Sequence, residues 1–157
     1  MSISIQEHDF DVGAELATLR ADNTGIGALV SFTGLVRDSS GDDPIEKLTL
    51  EHYPGMSEKA LVVIIDQAHS RWNLIASRVI HRIGELLPNE QIVFVATAAA
   101  HRSEAFAAAE FIMDYLKADA PFWKKEQTGH GASWLETKAT DTERAARWKT
   151  SPTGEHS

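Results

Sequence analysis

Gln91-Ile-Val-Phe-Val-Ala-Thr-Ala-Ala-Ala-His-Arg-Ser103 changes character along its length. Ile92-Val-Phe-Val-Ala96 is apolar at every position, the pattern of a central strand covered on both faces. Ser103 then opens a helix in which Ala105, Ala108, Ala109, Ile112 and Leu116 form a narrow apolar stripe, stopped by Asp119-Ala-Pro121. A second face of the same helix carries Phe106, Glu110, Met113 and Lys117.

Working back from this stretch, Ile75 to Ile83 is a second buried strand, separated from the first by Gly84 to Glu90. Pro54-Gly-Met-Ser57 opens a helix to about Trp72, with Ser57 as its cap and Ala60, Leu61, Ile64, Ile65 and Ala68 on one stripe. Ile26 to Arg37 alternates with a period of two, and Gly34 within it marks a bulge or a close backbone approach. The polar Asp38 to Pro44 and a strand from Ile45 to Tyr53 follow, so this region reads as a hairpin with a long tip. Ser2 to Gln6 is a short strand, and Asp11 caps a helix carrying Val12, Leu16 and Leu19 that stops by Asn23-Thr-Gly25.

Working forward, Phe122 to Gln127 and Ala132 to Lys138 are short strands, and Thr140 with Glu143 has capping-box spacing for a last helix reaching Trp148. Residues 1–149 form one domain and 150–157 a mobile tail. The mixed order implies an α+β fold rather than a doubly wound sheet.

Composition narrows the chemistry. The chain has 157 residues, of which 43% are hydrophobic and 24% charged, close to the averages for globular proteins. Its net charge of −8 repels nucleic acid and anionic membranes, so any anion site must be a local exception. With no cysteine it has no thiolate metal site, no cysteine nucleophile and no persulfide of its own, so any sulfur must be imported. There is no signal peptide and no apolar run of membrane-spanning length, which makes the cytoplasm the expected compartment. The seven histidines lack HxH, HxxxH or HExxH spacing, so neither a metal nor another cofactor is expected; the elbow of serine hydrolases and the glycine-rich phosphate loops are also missing.

Four places remain where chemistry fits. His101-Arg102-Ser103 stands where a strand passes into a helix, so free backbone N–H groups, the helix dipole and two basic side chains can meet a phosphate; the same residues also suit a solvated turn. Lys117 shares a helix face with Met113, where desolvation can lower an amine's pKa, although lysines on such faces commonly snorkel to solvent. Pro121-Phe-Trp123 folds Lys124 and Lys125 back beside that helix end, a pattern that also suits a proline-terminated helix with a solvated basic strand, and Arg37, closing the long strand, is another candidate anion ligand at a place where arginines commonly face solvent.

Five segments then resemble, in order, the family of large, catalytic subunits of molybdopterin synthase. They are Phe32-Thr-Gly-Leu-Val-Arg37, Leu50-Glu-His-Tyr-Pro-Gly-Met56, Ile80-His-Arg-Ile-Gly-Glu85, Ala100-His-Arg-Ser103, and Phe111-Ile-Met-Asp-Tyr-Leu-Lys117 with Ala120-Pro-Phe-Trp-Lys124. The resemblance implies an α/β hammerhead fold with an additional antiparallel β subdomain. It also implies a homodimer within a heterotetramer, flanked by a small ubiquitin-like subunit whose C-terminal thiocarboxylate brings the sulfur. The implied reaction inserts two dithiolene sulfurs into cyclic pyranopterin monophosphate, giving molybdopterin. By the same resemblance Lys117 and Lys124 are catalytic. Leu35, Val36, Arg37, His101, Arg102, Lys125 and Glu126 join them in holding substrate, and Phe32 and Met113 line the pocket. Lys138 stands where relatives offer an arginine from the neighbouring subunit, keeping the charge without the bidentate fork. Leu35, where relatives often have a basic residue, offers only backbone or apolar contact. Two other readings use the same residues: an adaptor that binds a ubiquitin-like tail without catalysis, and a phosphate-ester enzyme built on the His101-Arg102 turn.

Overall fold

In chain order the elements are β1 (Ser2–Gln6), α1 (Val12–Arg20), β2 (Ala28–Leu35), β3 (Ser39–Ser40), β4 (Asp43–His52), α2 (Met56–Trp72), β5 (Ala76–Arg82), β6 (Gly84–Leu86), β7 (Gln91–Ala99), α3 (Arg102–Ala118), β8 (Phe122–Thr128), β9 (Gly131–Trp134) and α4 (Ala139–Ala146). This computed structural model describes residues 2–40, 43–129, 131–135 and 138–149; the expected C-terminal tail lies outside them. The fold is mixed α+β, with two sheets and four helices among the described residues.

The first sheet has the order β1-β5-β7-β2, so β7 is an inner strand with a layer on each side. Val93, Val95 and Ala99 pack on one face with Leu61, Ile65 and Ala68 of α2 and Ala105, Ala108, Phe111 and Ile112 of α3. Phe94 and Ala96, on the other face with Ile80, meet Phe10, Val12, Leu16 and Leu19. The double burial explains the unbroken apolar run, since each Val or Phe removed from water stabilises the fold by about 2 kcal/mol. Thr97 is fully buried, and its hydroxyl donates to the Ala105 carbonyl at 2.7 Å, tying strand to helix. Small alanines let α3 lie close on β7 and β2.

The second sheet runs β3-β4-β8-β9, with β6 also paired to β4. Its inner residues Leu48 and Leu50 make a small core with Val36 and Leu86. Ile92 packs against this core and the larger one, and so joins the two sheets.

Asp11 caps α1, accepting a hydrogen bond from the Ala14 N–H at 2.9 Å. Gly34 meets both expectations for it: the β2–β7 register shifts between Gly34 and Leu35, and a Cβ at Gly34 would stand 2.8 Å from Val93 Cγ1. Other expectations are corrected. β2 and β4 form no hairpin, because β2 pairs with β7 while β4 pairs with β3, β6 and β8 in the other sheet. Ser57 is not the α2 cap; the cap is Gly55 at φ +86°, whose N–H is taken by Glu58 at 2.6 Å. Ser57 lies buried in the first turn and donates to the Pro121 carbonyl at 2.9 Å. α4 begins at Ala139 after Lys138, ahead of the expected Thr140, and Gly84–Leu86 adds a short strand within the expected connection. Among the described residues no helix is long and apolar enough to cross a membrane.

Candidate functional site

α3 ends where Pro121 forbids its continuation, and the Asp119 N–H closes the last turn on the Tyr115 carbonyl at 2.8 Å. The chain turns back as β8, which lies antiparallel to β4 with Lys124 opposite Leu50 and Glu126 opposite Leu48. This turn sets Lys124 beside Lys117, in the last turn of α3, and the two side chains are within hydrogen-bonding reach. Between them and the loop after β2 is a cavity of about 190 Å³. Leu35, Val36, Arg37, Ile45 and Leu48 contribute one wall, and Phe122, Lys124 and Glu126 another. Lys138 and Asp141, at the start of α4, contribute a third.

Four cations (Arg37, Lys117, Lys124, Lys138) and two carboxylates (Glu126, Asp141) line the cavity, a local balance of 4 − 2 = +2 in a chain of net charge −8. It is the local exception that an anionic substrate needs. Burial first, then the adjacent Lys117 charge and its hydrogen bond, push Lys124 down from 10.5 to about 8; Asp141 opposes this and Lys138 adds to it. Lys124 can therefore exchange a proton near neutral pH.

Strand periodicity divides the tandem lysines. Phe122, Lys124 and Glu126 face the cavity, whereas Lys125 projects from the opposite face, its Nζ 5.5 Å from the centre of the Trp134 ring. Lys125, expected among the substrate ligands, therefore stays outside the cavity. Val36 lines it, but its backbone is already committed: its N–H donates to the Glu90 carbonyl at 2.9 Å and its carbonyl accepts from the Asn89 N–H at 2.8 Å. The two bonds fix the Val36 peptide against the loop before β7 and so hold Arg37 in place. Lys138, which the resemblance assigns to a neighbouring subunit's site, lines the cavity of its own chain.

His101 and Arg102 stand at the other end of α3, where they line an open hollow with Gly27 and Phe106. Fifteen residues of helix separate Arg102 from Lys117, about 22 Å along the axis at ~1.5 Å per residue. One chain does not bring these two groups together. Phe32 and Met113, expected to line the pocket, fall between its ends. Phe32 is 43% exposed on the edge strand β2, with its ring reaching back toward Gly34, and Met113 packs against the main core.

Sequence reasoning missed Asp141 and Leu135 in the cavity wall and His81 behind it. The His81 ring is stacked on Phe122, with centroids 3.9 Å and planes 10° apart, and His52 stacks on Phe122 at 6.4 Å. Burial pushes His81 down from 6.5 to about 4, with further lowering from Lys124, Lys117 and His52 against a hydrogen bond to the Arg82 carbonyl. The ring thus stays neutral, so no further cation is added beside the lysines. Histidines in two separate strands gave no spacing signal for this stack.

Known proteins share this chain's sequence and architecture. The family model described as MoaE protein matches residues 5–119. A molybdopterin synthase catalytic subunit of Ralstonia nicotianae is 58% identical over 147 residues, covering 94% of this chain and 84% of that protein. A solved molybdopterin biosynthesis MoaE protein from Burkholderia ambifaria superposes with a TM-score of 0.81 at 53% identity, covering 94% of this chain and 97% of the other. The fold also matches a chain in a complex of subunits 1 and 2 of molybdopterin-converting factor from Helicobacter pylori, with a TM-score of 0.72, 19% identity and coverage of 87% and 91%.

Proposed function

The chain belongs to the MoaE family of molybdopterin synthase catalytic subunits, and from that premise we propose that its lysine-lined cavity converts cyclic pyranopterin monophosphate to molybdopterin. It is an enzyme subunit that transfers sulfur in molybdenum cofactor biosynthesis. The sulfur comes from the thiocarboxylated C-terminus of a small ubiquitin-like subunit, in keeping with a chain that has no cysteine to carry it. The cytoplasm is the proposed compartment, and the two-sheet architecture is proposed to be the α/β hammerhead with its antiparallel β subdomain.

The observation that carries this reading is the juxtaposition of Lys117 and Lys124, with Lys124 held near 8. Attack by a thiocarboxylate sulfur on the pterin develops negative charge at the reacting centre and moves protons. A fixed ammonium on Lys117 stabilises the former, and Lys124 has both protonation states available for the latter. Arg37 and Lys138 are placed to hold the substrate phosphate, with Arg37 capable of the bidentate grip that a lysine lacks. Buried Glu126 completes the polar floor.

His101 and Arg102 can reach the same substrate only from a second copy of the chain. In a two-fold homodimer whose β2–α3 faces run antiparallel, the Arg102 end of each α3 lies over the partner copy's Lys117 end. Exposed Phe32 and Phe106 suit burial along such a face. Two such copies, each with a small subunit, make the proposed heterotetramer.

The test mixes the protein with cyclic pyranopterin monophosphate and thiocarboxylated small subunit and measures dithiolene product. Lys117→Ala should abolish turnover with dimer and partner binding intact, and near-normal turnover would refute its catalytic role. Arg102→Ala should weaken binding in a titration of the pterin substrate, and an unchanged curve would count against that assignment. If wild type forms the complex but no dithiolene, the chain is an adaptor.

A further inference from the structure

The start of α4 forms a wall of the cavity, yet the helix is eight residues long, and Ala145 is its one buried residue. What holds it is Asp114, on α3 one turn before Lys117. The Asp114 side chain is 9% exposed and gathers donors from α4 and the turn after it. Oδ2 accepts from Trp148 Nε1 at 2.7 Å and from an Arg147 guanidinium N–H at 2.9 Å, while Oδ1 accepts from Arg144 Nε at 3.4 Å. Glu110, one turn earlier, pairs with Arg144 at 3.1 Å and Arg147 at 2.7 Å. The Trp148 ring, oriented by its N–H bond, completes an edge-on aromatic triad with Trp72 and Phe111, with centroids 5.5 Å from each.

We propose that Asp114 is a positioning residue for the sulfur-transfer site: by fixing Arg144, Arg147 and Trp148 it holds the start of α4, with Lys138 and Asp141, over the Lys117–Lys124 pair. The proposal rests on the functional reading above. One rigid helix then sets both the lysine on its last turn and the wall facing it. Such an arrangement accounts for a carboxylate this buried receiving three charged or polar donors from the end of a helix that buries so little apolar surface of its own and from the turn after it. The groups that act on Lys124 are Lys117 from α3 and Lys138 and Asp141 from the start of α4, and the latch governs the last two together with the burial of the site.

The experiment uses the full chain and compares wild type with Asp114→Asn, and with Arg144→Gln/Arg147→Gln, which removes the two arginine contacts from the other side together with their Glu110 pairs. Leu16→Ala, packed on the opposite face of the first sheet, serves as a control that lowers stability without touching the latch. Three quantities are followed: amide hydrogen exchange in α4, the ionisation midpoint of Lys124 by lysine side-chain NMR, and the pH profile of dithiolene formation with the thiocarboxylated small subunit. Loss of charge-assisted hydrogen bonds should accelerate exchange in α4 by about tenfold or more. The Lys124 midpoint should rise toward 10.5 as burial, its largest perturbation, is relaxed, and the acid limb of the profile should move with it. The two sets of latch variants should be non-additive when combined. An Asp114→Asn protein with the wild-type Lys124 midpoint overturns the proposal, as does an equal shift in Leu16→Ala. If the latch variants move the midpoint but wild type makes no dithiolene, the functional reading is refuted and the latch stands.

Discussion

Replacing Lys117 by methionine removes a positive charge from hydrogen-bonding reach of Lys124 while keeping an unbranched chain in the last turn of α3. Burial, the Lys117 charge and the Lys117 hydrogen bond lower Lys124, in decreasing order, and the Lys138 charge adds a smaller lowering against Asp141. Their net effect, from 10.5 to about 8, is a bias of about 3 kcal/mol toward the neutral amine. At about pH 7.5 roughly a quarter of Lys124 is then neutral, against about one part in a thousand for an ordinary lysine. Methionine removes the second and third causes and leaves the first. The midpoint should therefore rise yet stop short of 10.5, and the neutral fraction should fall. Titration of isotopically labelled lysine side chains by NMR reads this directly, with Lys124→Arg identifying the resonance. A Lys124 that titrates near 10.5 in wild type, or at an unchanged midpoint in Lys117→Met, would refute the reasoning.

Other perturbations test other parts of the molecule. His81 has its folded-state pKa lowered to about 4 from 6.5, so its stabilising contribution is complete above 6.5 and is lost as pH falls toward 4, up to about 3 kcal/mol. Urea unfolding at pH 7 and near pH 4.5 should show this loss in wild type and a shallower one in His81→Phe, which keeps a ring against Phe122; equal losses would exclude His81 as the source. A Cβ at Gly27 would fall 2.2 Å from the Ala100 carbonyl oxygen, where only backbone could yield. Gly27→Ala should cost more than about 2 kcal/mol and disturb the His101-Arg102 turn, and an unchanged melting temperature would show that the approach is looser than drawn.

The parts of the fold that could be read in advance are those where one physical demand dominates the local sequence. β7 is buried on both sides and has no polar alternation to confuse, and α3 shows its close packing as a stripe of alanines. The missing hairpin is a different matter: Asp38 to Pro44 has every attribute of a tip, but strand pairing is decided by faces and partners far along the chain. Ser57 had the chemistry of a cap and the position of a bridge, its hydroxyl accepting from the Tyr53 N–H before the helix while donating to the Pro121 carbonyl far along the chain. In the site, a helix ended by proline was enough to suggest that Lys117 and Lys124 meet. Which of two adjacent lysines faces inward depends on strand phase, and Asp141 is marked by nothing but the place to which Asp114 carries its helix.

The phase of β8 has a consequence for how this protein can change length. Loops elsewhere can gain or lose residues with little effect on what faces what, whereas the stretch joining Lys117 to Lys124 works as a reading frame. Deleting one residue just before Lys124 would turn that lysine outward and bring Lys125 into its place, while Glu126 left the floor of the cavity and Gln127 entered it. The tandem lysine would spare the ammonium and surrender the carboxylate. Insertions and deletions in a lineage of such proteins should therefore collect at the tip between β2 and β4 and avoid residues 118–126, under a constraint of parity rather than of sequence.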